Sequence, residues 1–286
     1  MNKKREPRFP PKNILVPLDD SAASIAAWKQ AQSLAKSLGA RVQGLYARGW
    51  TYHSPADLAF GKRDWRDTVD ALRARLGADA DLRRVDGPIE ETILSWGKHL
   101  KFDLIVMGTH GRTGLERALK GSVAEHIVRH ASVPVLVTRL PARRFGSILA
   151  PVNLEPYSME GLLYAAKTAA ALKARLTVLH VHGSPLYGSA DPVKASKKLL
   201  ADFIARLPPR LREACRPKEV LVFGRPDDEI VAAAGRADLV VLAARRRGYL
   251  RDSILGTTAE RVLRHCHKPV LAVPVDPVKR RGYALD

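Results

Sequence analysis

The hydrophobic positions alternate between two periods along the chain. "ILVPL" near the start is a short unbroken apolar run, the pattern of a strand covered on both faces. "SIAAWKQAQSLAKSLGA" follows, with Ile25, Trp28, Ala31, Leu34, Ala35 and Leu38 at helical spacing and Gly39 placed to end the helix. "RVQGLYA" predicts the next strand, and a helix is expected around Arg66–Leu76. "ADLRRVDG" predicts strand three, "IEETILSWGKHL" a helix, and "DLIVMG" another buried strand. "SVAEHIVRHA" predicts a helix and "VPVLVT" a last strand. Strands alternating with helices predict βαβ units and a parallel sheet with helices on both faces.

The pattern then repeats. "NILVPLDDS" from Asn13 matches "SILAPVNLE" from Ser147, 134 positions on, and "DLIVMGTHGR" from Asp103 matches "DLVVLAARRR" from Asp238, 135 positions on. "LKGSVAEHIVRHASVPVLVTRLP" matches "LGTTAERVLRHCHKPVLAVPVDP". A period this long is a whole domain. The expected organisation is a basic tail over 1–12, a first domain over 13–140, a linker over 141–147, a second domain over 148–276 and a basic tail over 277–286.

Composition narrows the class. The chain has 286 residues, 46% of them hydrophobic, enough for a packed core in each copy. No apolar run approaches the roughly 18 residues of a membrane helix, and the basic start reads as no secretory signal. Cys215 and Cys266 make no disulfide framework, so the expected setting is the reducing cytoplasm. The formal charge of +19 raises nucleic acid as a partner. The basic residues are spread along the chain, however, without a zinc-finger or aromatic RNA-binding motif. Neither nucleic acid nor membrane is expected as a partner.

The chemistry concentrates after "DLIVMG". Gly108 and Gly111, then Gly121-Ser122 before a helix, form a stretch where backbone N–H groups can approach an anion with no Cβ in the way. No Walker A sequence or G-x-G-x-x-G after the first strand is present. Ser122/Glu125 and Thr257/Glu260 each have capping-box spacing, so both helix starts have an ordinary structural reading as well. Asp20 reads as a turn residue or the cap of the first helix, with Ser21 as competitor. His126 and His130 lie four apart on a helix without a third ligand, and no metal site is expected there. No catalytic triad can be read.

Gly108-x-x-Gly111, nine residues, then Gly121-Ser122 resembles the nucleotide-binding signature of the universal stress protein family, and "ILVPLDDS" and "SVPVLVT" resemble its opening and closing strands. The resemblance covers nearly the whole chain, once per half. It implies two tandem Rossmann-like domains, flavodoxin-like or adenine nucleotide alpha hydrolase-like, each a five-stranded parallel sheet with helices on both faces. It implies ATP as ligand. Asp19 would meet the ribose with Pro17 beside it, and the backbone near Ala47 the adenine. Gly108, Thr109, His110, Gly111 and Arg112 would wrap the phosphates with Gly121, Ser122 and Val123, and Met107 and Gly114 would belong to the same nucleotide site.

Family members hydrolyse ATP slowly or not at all, which leaves two alternatives to a binding module. One is a slow ATPase with Mg²⁺ at Asp19. The other is an interaction protein for acidic partners or nucleic acid. The resemblance also implies pairing of the two last strands as an intramolecular pseudo-dimer, with a further homodimer open. The second copy departs from the signature. Asn153 stands where Asp19 stands, Ala243 replaces Gly108 and Arg246 replaces Gly111. A Cβ at 243 and a long side chain at 246 are expected to block a phosphate there, with Arg245–Arg247 as an alternative anion site.

Overall fold

The computed structural model describes residues 7–49, 65–108, 123–138, 144–183, 192–247 and 254–275. They divide into two compact units, Met1–Arg144 and Phe145–Asp286.

The first unit carries β1 (Asn13–Pro17), α1 (Ala22–Leu38), β2 (Arg41–Arg48), α2 (Trp65–Leu76), β3 (Leu82–Asp86), α3 (Ile89–His99), β4 (Leu104–Gly108), α4 (Val123–His130) and β5 (Val135–Thr138). All its strand pairs are parallel, in the order β3-β2-β1-β4-β5. Ile14, Leu15 and Val16 of β1 and Leu104 to Met107 of β4 are buried, as unbroken apolar strands between helix layers must be. On α1 the predicted stripe is buried at Ile25, Trp28, Ala31, Leu34 and Ala35, and Leu38 is half-buried.

The second unit repeats the plan with β6 (Ser147–Val152), α5 (Pro156–Leu172), β7 (Arg175–His182), α6 (Pro192–Ala205), α7 (Pro209–Cys215), β8 (Lys218–Phe223), α8 (Pro226–Ala234), β9 (Leu239–Arg247), β10 (Ile254–Leu255), α9 (Thr257–His265) and β11 (Val270–Val275). Its parallel order is β11-β9-β6-β7-β8. One difference stands out. β9 runs four residues past the position matching Gly108, and β10 pairs antiparallel with its end at Arg246 and Arg247.

One carboxylate fixes the start of each sheet. Asp103 Oδ2 accepts the backbone N–H groups of Lys12 (2.8 Å) and Asn13 (3.1 Å), while its own N–H donates to the Asn13 carbonyl (2.9 Å). Asp238 does the same in the second unit, accepting from Gly146 (3.0 Å), Ser147 N–H (2.9 Å) and Ser147 Oγ (2.8 Å), and donating to the Ser147 carbonyl (2.9 Å). Each aspartate therefore sets the register of the central strand against its neighbour. The repeated aspartate was visible in the sequence, but its partners were not.

The helix starts decide one alternative and correct one expectation. α1 is capped by Ser21, whose Oγ accepts from Ser24 N–H at 3.1 Å; Asp20 is not the cap. In α9 the cap position is Gly256 and Thr257 is already helical, so the expected Thr257/Glu260 capping box does not form. Glu260 pairs instead with Arg264, as Glu125 pairs with Arg129 one domain earlier. Ser122, the other predicted cap, lies outside the described residues.

The helix ends place two residue types in one backbone state. Gly39 ends α1 with φ 62° and Lys173 ends α5 with φ 53°, each in the left-handed region. Both close the same turn, with Ala40 N–H on the Ala35 carbonyl (3.0 Å) and Ala174 N–H on that of Ala169 (2.9 Å). A Cβ is strained there. Lys173→Gly is therefore expected to stabilise the second domain by up to about 1 kcal/mol, and Gly39→Ala to destabilise the first by about 1 kcal/mol, both read by urea denaturation.

An ion pair ties α8 to α9. Arg261 Nη1 donates to Asp227 Oδ2 at 2.7 Å, and Arg225 approaches the same oxygen at 3.5 Å. The hydrogen bond from Arg261, with its charge and that of Arg225 adding, holds the Asp227 carboxyl below the usual carboxylate range. A carboxyl lowered on folding contributes stability that is complete above its ordinary value and lost as pH falls through the folded one. The stability gap between wild type and Asp227→Asn is expected to be constant above about pH 5 and to close below about pH 4. Denaturation midpoints measured from pH 7 down to 3 check this, and a gap that does not change with pH overturns it.

Candidate nucleotide site

In the first unit the chain runs from β1 outward to β2 and β3, then returns to place β4 and β5 on the other side of β1. The order reverses between β1 and β4, and ligands of open α/β sheets bind at the carboxyl ends beside such a reversal. The register shows why a crevice opens there. β1 and β4 pair at Ile14–Leu104 and Leu15–Ile105, and no pair follows before the two strands end at Pro17 and Gly108. Their tips part with Pro17 and Asp19 on one side and Met107 and Gly108 on the other.

Asp19 is held in place by its own turn. Its Oδ1 accepts from Ser21 N–H (3.0 Å) and Ser21 Oγ (2.5 Å), and its carbonyl accepts from Ser24 Oγ (2.7 Å). Asp19 is half-buried, and among the described residues both side-chain bonds fall on Oδ1. A short Asx turn thus presents a fixed carboxylate at the mouth of the crevice. Asn153 makes the same turn in the second unit, accepting Glu155 N–H at 3.2 Å on Oδ1. The turn survives there without the charge.

Ala47 lies at the tip of β2, next to β1, where Leu18 N–H donates to the Leu45 carbonyl at 2.9 Å. Just past it Gly49 abuts the next turn: a Cβ at Gly49 would sit 1.9 Å from the Gly87 carbonyl oxygen. Val123 is the first residue of α4 and half-buried. Thr109, His110, Gly111, Arg112, Gly114, Gly121 and Ser122 lie outside the described residues. The structure therefore brings together Pro17, Asp19, Met107 and Gly108 at two adjacent tips, with Ala47 one strand away.

Gly108 has a packing reason that sequence reasoning missed. A Cβ there would lie 2.8 Å from the Ala23 backbone carbon, backbone oxygen and Cβ, so the first turn of α1 presses directly on the end of β4. In the second unit the helix approaches the strand end one turn further along, at Gly161, which matches Ala27 rather than Ala23. Ala243 carries the Cβ, and Gly161 of α5 makes room for it: a Cβ on Gly161 would stand 2.8 Å from Ala243 N.

The second unit also differs at the matching loop. Residues 243–245 pair with β11 up to Arg245–Val275, and Arg246 and Arg247 pair with β10. Successive N–H groups of an extended strand point to opposite edges, so they cannot converge on one phosphate. The expected obstruction came from side chains at 243 and 246; the backbone path alone already accounts for it. Gly256 needs no steric explanation, since a Cβ there would meet nothing within 4 Å.

Among the described residues no cluster of three or more metal-ligating side chains occurs, and no helix is long and apolar enough to cross a membrane.

The model of the universal stress protein family matches residues 11–139 and again 144–274. A universal stress protein of Methanocaldococcus jannaschii is 34% identical over 144 residues, 46% of this chain and 84% of that protein. One from Mycobacterium bovis is 26% identical over 180 residues, 59% of this chain and 61% of its own length. A solved universal stress protein of Archaeoglobus fulgidus superposes with a TM-score of 0.70 at 19% identity, over 93% of this chain and 99% of that one. That likeness concerns the fold, and it extends across both copies. With both halves matched by one family model and the strand order repeated in each, the chain belongs to the universal stress protein family as a tandem of two of its domains.

Proposed function

We propose that the first domain binds ATP at the parted tips of β1 and β4, and that the protein acts as a nucleotide-dependent module in stress response or signalling. The observation that carries this reading is the fixed carboxylate of Asp19 at the crevice where the sheet order reverses. A carboxylate suits the two donors of a ribose, and the glycine-rich stretch from Gly108 to Ser122 follows on the other side. The second domain keeps the turn at Asn153 but has an extended strand where a phosphate would have to sit. It is therefore assigned no ATP, and one nucleotide per chain is expected.

Gly108 is a poor place to test the site, because any Cβ there collides with Ala23 whether or not ATP binds. Asp19→Asn is the cleaner change. The second domain shows that asparagine keeps this turn, so folding is expected to survive with the melting temperature within about 2 °C of wild type. ATP affinity is expected to fall about tenfold or more, the size of one charge-assisted hydrogen bond. Isothermal titration checks both stoichiometry and affinity. No ATP or ADP binding by the wild-type protein sinks the proposal, and unchanged affinity in the variant removes Asp19 from the site.

A further inference from the structure

We propose that the face built by α6, α7 and the start of β8 binds the phosphate backbone of a nucleic-acid duplex without reading its bases. The sequence spreads its basic residues along the whole chain, but the second domain gathers uncompensated ones here. From α6 through β8, residues 192–223, eight Lys and Arg stand against three Asp and Glu. The matching stretch of the first domain, α2 through β3 over residues 65–86, has five of each.

The pairing differs as much as the count. In the first domain Arg73 pairs with Asp70, Arg83 with Asp81 and Arg84 with Asp86. Arg75 Nη1 donates to the Asp20 carbonyl at 2.8 Å. In the second domain Lys197, Lys198, Arg210, Arg216 and Lys218 are exposed, and none has an ion-pair partner among the described residues. Clustered cations without carboxylates raise the local potential, and a nucleic acid that meets them releases its condensed counterions.

The helix α7 is what the second domain adds. The first domain passes from α2 to β3 by a turn over 77–81, whereas the second inserts Pro209–Cys215 there. Arg212 of α7 donates from Nη1 to the carbonyl of Ala205, the last residue of α6, at 3.0 Å. Arg206, between the two helices, lies over the Phe203 ring at 5.7 Å. The insertion therefore adds Arg210 and Arg216 on a platform tied to the end of α6.

The layout favours a phosphate backbone over a bilayer or a protein. The buried stripe of α6 is Ser196, Leu200, Phe203 and Ile204. Around the helix, Val193 extends this stripe at the first turn and Leu199 borders it, while Lys194, Lys197 and Lys198 lie outside it. The exposed apolar residues thus continue the core stripe and form no separate patch for a hydrophobic partner. Lysine is also depleted from protein–protein interfaces. The 14 residues of α6 span about 21 Å, the rise of about six base pairs. The proposal does not rest on ATP binding in the first domain.

The probe is a fluorescein-labelled DNA duplex of about 20 base pairs and random sequence, with anisotropy read against salt concentration. At about 0.15 M salt the Kd is expected to lie at about 1–100 μM, with a log–log salt slope of about 4 in magnitude. Lys197→Gln, Lys198→Gln, Arg210→Gln and Arg216→Gln together are expected to weaken binding about tenfold or more and to reduce that slope by about 3 to 4. Lys198→Gln alone is expected to reduce it by about 1, which keeps the test decisive if the combined variant melts early. Changing Lys29, Lys36, Arg41 and Lys98 to Gln removes the same charge from exposed positions of the first domain. That control is expected to change affinity less than about twofold, because distant charges are screened. No anisotropy change even at about 0.05 M salt, or equal weakening by the first-domain changes, would overturn the proposal. Polyglutamate bound as tightly as the duplex would overturn it in favour of an acidic protein partner.

Discussion

The contact between the first turn of α1 and the tip of β4 constrains everything around the candidate site. The helix can lie that close only because residue 108 has no side chain. The approach brings the start of α1, and with it the Asp19 turn, against the crevice between β1 and β4. One glycine therefore serves the packing first and leaves an open backbone at the strand end second. In the second domain the strand end carries Ala243, and the helix meets it one turn further along, at Gly161, the counterpart of Ala27. A glycine at that helix position gives the Ala243 side chain its room, so the strand end no longer has to be glycine.

What the two copies share lies away from the tips. The aspartates at 103 and 238 fasten the start of each central strand by paired backbone hydrogen bonds. The Glu125–Arg129 and Glu260–Arg264 pairs occupy the same turn of the last helix. These interactions hold strands and helices in register whatever the ligand, so duplication keeps them. What differs lies at the carboxyl edge: Asp19 against Asn153, a strand ending at Gly108 against one continuing to Arg247, and the Arg84–Asp86 pair against His182 and Phe223. Beyond the added helix α7 and the change from Gly39 to Lys173 at a helix end, these differences change recognition and leave the strand order unchanged, as expected of a fold that carries its ligands on the ends of its strands.

Much of this was legible in the chain itself. Unbroken apolar runs such as "DLIVMG" identified buried parallel strands, and the helical stripe from Ile25 to Ala35 identified the buried face of α1, because both patterns follow from one-dimensional spacing. Gly39 was legible as a helix end for the same local reason. Thr257 was misread because S/T-x-x-E spacing does not say where the helix begins; Gly256 takes the cap and Glu260 turns to Arg264. Asp20 lost to Ser21 because the hydroxyl one position later reaches Ser24 N–H.

The sequence by itself determined the repeat, the strand–helix alternation and the family, since these depend on local periodicity and on motifs read along the chain. Tertiary structure alone decided that Gly108 is needed by Ala23, that Asp103 and Asp238 hold strand starts some 90 residues away, and that Phe223 meets His182 across the β7–β8 ladder. Each of those joins residues from different elements, and the distance between them exists only after the sheet has closed.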